Sequence, residues 1–415
     1  MDLASLAIQN PWWANKTSIN EDPRIREFEE APVKWRPRLT KYLPLDKDVV
    51  CSLRGPRQVG KSTLLKLLIR DKLGAPSTNP IDLFYFACDQ VNSGKELHEI
   101  LTVYLDWAHS LSSGRKLIML DEISSVRDWQ SGIKLLIDQR SNKNLTLILT
   151  GSHSVDIKRS VERLPGRTGE SVGQSVHKVL MPMKFAEYVE LTYPEAYAKA
   201  KELGLDRDPI RRGCFLSLLK GEMPKQVEEL LPLTQKLNQI LQEYLITGGL
   251  MHAVNDFKSR QSISFTKYEL YIRSLMGDVA KLGREERTAR QILAALIKRQ
   301  GSCISWLSLK KDTDILSPLT IEQYAKMFEE MFVADIFYFL DFNKGTARYS
   351  HPDKKAYVIN PFIFHALRGW SINPTGDYFK EANQYTADSA NTARMLEAVL
   401  GDHLARAAYN LHPTD

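Results

Sequence analysis

Gly55, Pro56, Arg57, Gln58, Val59, Gly60, Lys61, Ser62 and Thr63 fit the pattern G-x-x-x-x-G-K-[ST], which joins two glycines to a lysine and two hydroxyls. That combination suits the binding of a polyphosphate. The glycines let the backbone turn so that successive N–H groups point inward at an anion, and a helix start behind them adds partial positive charge. Lys61 is then expected to reach the β- and γ-phosphates of ATP, and the Ser62 hydroxyl to ligate Mg2+. A plain glycine turn between two buried elements would use the same letters. The flanks favour the nucleotide: the apolar run Val49 to Leu53 precedes the loop and the amphipathic run Leu64 to Ile69 follows it, the strand-to-helix setting this chemistry requires.

Further along, Leu117, Ile118, Met119 and Leu120 run straight into Asp121 and Glu122. On a buried strand with such an acidic end, Asp121 would hold the Mg2+ and Glu122 would polarise the water that attacks the γ-phosphate. Two solvated carboxylates capping the next helix are the alternative. The upstream phosphate loop weighs against it, because parallel strands present their C-terminal ends on one ligand-binding edge. A water-activating acid here favours a hydrolase over a phosphate-transferring kinase. The apolar run Leu145 to Leu149 ends in Thr150-Gly151-Ser152, where the Thr150 or Ser152 hydroxyl could lie between the two motifs and sense the γ-phosphate. Hydroxyls at strand ends are also ordinary turn formers. His153 reads as a loop residue. Arg167, in the turn Leu164-Pro165-Gly166-Arg167, is placed either to reach outward as a functional cation or to sit as a solvated surface charge.

The elements that must position these groups fit a globular chain of two or three domains, given 415 residues of which 43% are hydrophobic. No apolar run is long enough for a membrane span and the N-terminus lacks the features of a signal peptide, so a cytoplasmic protein is expected. Cys51, Cys88, Cys214 and Cys303 are far apart, which argues against structural disulfides and zinc. The formal net charge of +6 tilts only weakly toward a polyanionic partner such as DNA.

The first forty-odd residues mix Trp12, Trp13 and Trp35 with prolines and read as an arm packed back on the nucleotide domain, either filling core or lying beside the base. A strand is expected over Ile81 to Cys88, a helix over Lys95 to His109, a helix carrying Trp129, Ile133, Leu135 and Leu136, and a strand near Ser175 to Leu180. From Met181 to about Arg287 the spacing turns helical, as in a lid. Beyond it, helices over Ala289 to Arg299, Trp306 to Leu309 and Thr320 to Phe332 precede alternating runs Ile336 to Leu340 and Lys355 to Ile359, the pattern of a winged helix. Its third helix exposes Glu322, Glu329 and Glu330 against only Lys326, so Lys344, Arg348, Lys354 and Lys355 of the wing are the better candidates for a DNA backbone contact; packing or protein contact is the alternative.

Together the loop Gly55 to Thr63, Leu120 to Ser124, Trp129-Gln130, Thr150 to Ser152 and Leu164 to Arg167 resemble AAA+-type ATPases of a group widespread in archaea and bacteria, in which GPRQVGKST, LDEIS, a Trp-Gln helix, TGS and LPGR recur in this order. The resemblance covers about Gln9 to Leu367. It implies an α/β fold with a five-stranded parallel P-loop (AAA+) core, the phosphate-loop strand central, followed by an all-α lid and a winged-helix domain. In domain terms the expectation is an arm over 1–45, the ATPase core over 46–180, the lid over 181–287, the winged helix over 288–370 and a tail with one helix, Arg394 to Arg406, over 371–415. By the same resemblance Arg167 matches a candidate arginine finger facing the next subunit, which implies a homo-oligomer with a hexamer favoured, whereas no second sensor arginine is matched in the lid. The Tyr244 to Leu250 stretch resembles the family's glycine turn. In many relatives a helix like the last one begins a nuclease-like domain; the sequence stops after this helix, so no nuclease activity is expected here. The function expected is a Mg2+-dependent ATPase that couples hydrolysis to DNA remodelling or translocation; a nucleotide-switched regulator acting through protein contacts is the main alternative, and a small-molecule kinase is disfavoured by Glu122.

Overall fold

The computed structural model describes residues 1–138, 144–151, 176–341, 343–349 and 351–411. Two short helices, α1 (Leu3–Gln9) and α2 (Pro23–Glu30), precede a parallel sheet built from β1 (Val49–Arg54), β2 (Leu83–Ala87), β3 (Lys116–Asp121), β4 (Leu145–Thr150) and β5 (His177–Val179). Helices α3 (Lys61–Leu73), α4 (Gly94–Leu111) and α5 (Trp129–Asp138) cover its faces. Because both faces are covered, β1 to β4 are almost wholly buried, which is why their sequences read as unbroken apolar runs.

The strand order is β2-β3-β4-β1-β5. Thus β1 is interior, as expected, but the middle strand is β4. The chain crosses from β1 over α3 to the far edge at β2, then returns through β3 and β4 to lie beside β1. This order sets the C-terminal ends of β1, β4 and β3 side by side, with Thr150 between the phosphate loop and Asp121.

Successive strand residues face opposite sides of the sheet, so two cores form. On one side Phe84, Phe86, Ile118, Leu120, Leu147 and Leu149 pack with α4 and α5. On the other, Tyr85, Met119 and Ile148 pack with α3, and this core continues unbroken into the helical half of the chain. The arm covers the open edge of β2. Asn10 Nδ2 donates to the Tyr85 carbonyl at 3.0 Å and the Tyr85 N–H donates to Asn10 Oδ1 at 2.7 Å, so one side chain pairs with the edge as a strand would. The Trp12 and Trp13 indole N–H groups both donate to the Leu83 carbonyl, each at 3.0 Å. The arm's aromatics therefore fill core and seal a sheet edge.

Helices follow from α6 (Phe185–Thr192) through α7 (Pro194–Glu202), α8 (Asp208–Leu219), α9 (Lys225–Glu228), α10 (Thr234–Thr247), α11 (Met251–Arg260) and α12 (Phe265–Lys281). The next group is α13 (Glu286–Lys298), α14 (Trp306–Lys310) and α15 (Pro318–Glu330), after which β6 (Ala334–Tyr338) pairs antiparallel with β9 (Lys354–Val358). Between them β7 (Leu340–Asp341) and β8 (Thr346–Ala347) form a small hairpin. Helix α16 (Pro361–Ile372) was not anticipated, and most of its residues are buried. It starts at Asn360, whose side chain accepts from the Phe362 and Ile363 N–H groups, and it inserts Phe362, Ile363, Phe364 and Leu367 between α10, α12 and α13. One buried cluster thus runs across the expected boundary at residue 287.

Two further helices close the described chain, α17 (Tyr378–Ala387) and α18 (Ser389–Leu411), the second longer at both ends than the spacing suggested. Helix α18 acts as a strut. Glu397 accepts from Lys355 Nζ at 2.6 Å and from the Tyr357 hydroxyl at 2.7 Å, while Arg406, paired with Asp402, donates to the Pro182 carbonyl at 2.6 Å. Among the described residues no helix is long and apolar enough to cross a membrane.

Candidate functional site

The phosphate loop leaves β1 at Gly55 and enters α3 at Lys61. Gly55 and Gly60 have φ of +150° and +101°, and a Cβ on Gly55 would stand 2.0 Å from the Leu180 carbonyl oxygen, so only glycine fits where the loop passes β5. Lys61 is 5% exposed. Its ammonium donates to the Gly55 and Pro56 carbonyls at 2.9 and 3.1 Å, and burial lowers its pKa. These neutral partners can be exchanged for phosphate oxygens without leaving a charge unpaired. Ser62 and Thr63 open the first turn of α3 as expected. Gln58 takes φ +61°, and its amide reaches Ser274 on α12 at 3.4 Å.

Beside the loop, Asp121 is 3% exposed at the end of β3. One carboxylate oxygen accepts from the Thr150 hydroxyl at 2.5 Å and the other from the Tyr85 hydroxyl at 2.8 Å. Glu122 follows with φ +54°, a left-handed turn that swings its side chain out of the strand register, and its N–H donates to Thr150 Oγ1 at 3.1 Å. Thr150 therefore holds both acidic residues. Its single hydroxyl proton goes to Asp121, which makes it a positioning group in this geometry rather than a donor aimed at nucleotide. Glu122 Oε1 accepts from Arg57 Nη1 at 3.0 Å. Glu122 Oε2 is buried without a hydrogen-bond partner among the described residues. A buried carboxylate oxygen left open in this way is suited to a water or a ligand.

Mg2+ is usually held by one or two carboxylates together with substrate phosphates and waters, not by a cage of protein ligands. The donor set fits that habit: Asp121 ends β3 beside the loop and Ser62 stands in the first turn of α3, while among the described residues no group of three or more His, Cys, Asp or Glu side chains is assembled.

Three residues escaped the sequence reading. Tyr85 contacts Asp121 because β2 and β3 pair with Tyr85 opposite Met119, which makes Asp121 a diagonal neighbour on the same face. That depends on register, which composition does not reveal. Lys66 reads as an exposed helix lysine, yet it is buried over the Tyr85 ring at 3.6 Å and the Trp12 ring at 5.0 Å and pairs with Asp22 at 3.2 Å. Burial lowers its pKa, against the pull of Asp22. Asp278 on α12 grips Arg57 from the helical half: Nε donates to Oδ2 at 2.6 Å and Nη2 to Oδ1 at 2.5 Å. Burial pulls the Arg57 pKa down, but the hydrogen bonds to Asp278 and the charge of Glu122 more than offset it and the pKa is raised.

Ser152 and Arg167 lie outside the described residues. The lysines expected on a wing are placed differently from that expectation. Lys354 is 3% exposed, its ammonium sits 4.3 Å over the Trp306 ring, and its backbone exchanges hydrogen bonds with Ile304. Lys355 pairs with Glu397. Lys354 is thus spent inside the fold and Lys355 is held in a partly exposed pair, whereas Lys344 and Arg348 are exposed.

Residues 47–189 match the model of an AAA domain family, in agreement with the P-loop ATPase class. Residues 238–373 match a domain of unknown function (DUF8612), which spans α10 to α16. A search of the curated proteins finds no match. Among solved structures, a Walker-type ATPase of Pyrococcus abyssi is similar at 15% identity, covering 85% of this chain and 97% of the other with a TM-score of 0.42. The ORC1 protein of Aeropyrum pernix, solved with DNA, is similar at 12% identity over 88% of this chain and 97% of its own, with a TM-score of 0.31. A STAND protein of Pyrococcus horikoshii with a tetratricopeptide repeat sensor matches at 11% identity over 93% of this chain and 51% of its own, with a TM-score of 0.28. All three likenesses are remote.

Proposed function

We propose that this chain is a Mg2+-dependent ATP hydrolase in which Gly55 to Thr63 bind the nucleotide, Ser62 and Asp121 hold the metal, and Glu122 activates water. The observation that carries the reading is the joint hold of Thr150 on Asp121 and Glu122 at the mouth of the loop, with Glu122 Oε2 buried and open. Mg2+ would neutralise charge on the phosphates; the chain's own part is to hold the triphosphate on the loop's N–H groups and Lys61 and to take a proton from water at Glu122. Phosphate release from ATP should require Mg2+ and cease with EDTA. A protein that binds no ATP with Mg2+ present would refute this reading.

For the partner, a nucleotide-switched regulator acting through protein contacts is favoured over DNA remodelling by one observation. Lys354 is buried, Lys355 is paired with Glu397, and the neighbouring α15 carries Glu322, Glu329 and Glu330. Turnover measured with and without duplex, branched or single-stranded DNA separates the two: strong stimulation by DNA restores the remodelling reading. Assembly as a homo-oligomer, with a hexamer favoured, rests on Arg167 supplying a guanidinium in trans. Arg167→Ala should then bind ATP normally and hydrolyse it poorly, and a wild-type protein that stays monomeric with ATP while hydrolysing at full rate excludes a finger in trans.

A further inference from the structure

Arg57 and Gln58 are consecutive loop residues, and both reach α12, at Asp278 and Ser274. The Arg57 guanidinium is divided between two carboxylates. Its Nε and Nη2 edge forms a two-pronged pair with Asp278, whose side chain is 3% exposed, while Nη1 makes one bond to Glu122, whose side chain is 17% exposed. The two contacts differ in how readily they break. Removing the arginine from Asp278 would leave a buried carboxylate unpaired, which is costly, whereas Glu122 stands at the mouth of the loop where an incoming anion can replace it. Lys61, by contrast, rests on neutral carbonyls, so its release changes the state of no carboxylate.

We propose that Arg57 is the γ-phosphate sensor of this site and that Asp278, reaching in from the helical half, is its positioning residue. The inference rests on the ATP hydrolase reading above. With a triphosphate bound, Nη1 passes from Glu122 to a γ-phosphate oxygen while the Asp278 fork stays closed. Glu122 then sheds the guanidinium that stabilises its anion, so the carboxylate, with Oε2 already open, becomes a stronger base toward water. After the γ-phosphate leaves, Nη1 returns to Glu122 Oε1 and lowers that basicity again. A diphosphate has no oxygen at that place, so it leaves the pair closed. Because the fork ties the guanidinium to α12, the exchange also reports the nucleotide state to the helices beyond the sheet, and it supplies in cis a cation beside the γ-phosphate from a loop residue that the nucleotide motif itself leaves unspecified.

The test is equilibrium binding of ADP and of a non-hydrolysable ATP analogue, both with Mg2+, to the full chain and to Asp278→Asn and Arg57→Lys, alongside steady-state ATP turnover. Asp278→Asn keeps the side-chain shape and loses the charge that anchors the fork. It should bind ADP within about twofold of wild type and the analogue about tenfold more weakly, with kcat reduced. Arg57→Lys keeps the charge but not the fork and should lose the same preference for the analogue, so it carries the test alone if Asp278→Asn does not fold. Equal weakening of ADP and analogue would mean that the pair only braces the helices, and unchanged affinities would mean that Arg57 never meets the γ-phosphate; either result overturns the inference. Failure of the wild type to bind either nucleotide would instead remove the hydrolase reading on which it rests.

Discussion

The mouth of the phosphate loop and the antiparallel pair of β6 and β9 each gather charged residues, and they treat them differently. At the loop, the charges stay exchangeable: Lys61 rests on carbonyls, Glu122 keeps one oxygen without a partner, and Asp121 is held by two hydroxyls that take none of its charge. On β9 both lysines are engaged. Lys354 lies over Trp306 and Lys355 is paired with Glu397. Charge type and spacing along a chain therefore say little until the partners are known; what distinguishes a ligand site is polar capacity left open where the fold could have closed it.

The largest effect expected from this contrast is at the loop. Lys61→Ala should weaken ATP binding by about 100-fold, because a charge-assisted contact to phosphate is lost while the surrounding carbonyls remain. Nucleotide titration with Mg2+ checks it; affinity near that of wild type would place the phosphates elsewhere.

The region where the wing meets α18 should answer to pH. Burial pushes the Asp335 carboxyl up to about 7 from its ordinary 3.8, with the charges of Asp402 and Glu329 adding to the rise and Arg406 opposing it. The folded state thus keeps a proton that the unfolded chain has lost, so this group's contribution to stability falls as pH rises from about 4 to about 7 and is level above that. Denaturant midpoints at pH 5 and pH 7.5 should differ less for Asp335→Asn than for wild type. An identical pH dependence in the two proteins would show that Asp335 ionises freely in the fold.

The smallest effects belong to the wing lysines. Lys355→Ala removes a partly exposed pair with Glu397 and should cost under about 1 kcal/mol. If any DNA affinity is found, Lys355→Ala should leave its salt dependence unchanged, whereas replacing exposed Lys344 and Arg348 together should reduce the slope by about 2. A slope that falls with Lys355→Ala would mean that the Glu397 pair opens to admit phosphate.

Much of the nucleotide half was legible in the chain. Its strands are apolar runs bounded by turn residues, and Gly55 to Thr63, Asp121-Glu122 and Thr150 each stand at a strand end, where parallel topology brings them to one edge. What the spacing could not show was which strand is in the middle, because Thr150 gains its position only from the return of β4 beside β1. Tyr85 and Asp278 were hidden for a related reason: one depends on strand register, the other on a contact across 221 residues. Helix α16 was missed although its signals are present, Asn360 before Pro361 and then a run apolar on all sides. Burial on every face erases the periodicity by which surface helices are recognised.

The central claim is that the acid beside the loop activates water for ATP hydrolysis, and Glu122→Gln tests it with the least disturbance, since the amide keeps the side chain's size and spares every phosphate contact. ATP binding and phosphate release should be measured on the same preparation, in excess Mg2+ and under single-turnover conditions. The account predicts ATP retained with near wild-type affinity and hydrolysed at least about 100-fold more slowly. Phosphate release from Glu122→Gln at the wild-type rate would contradict it.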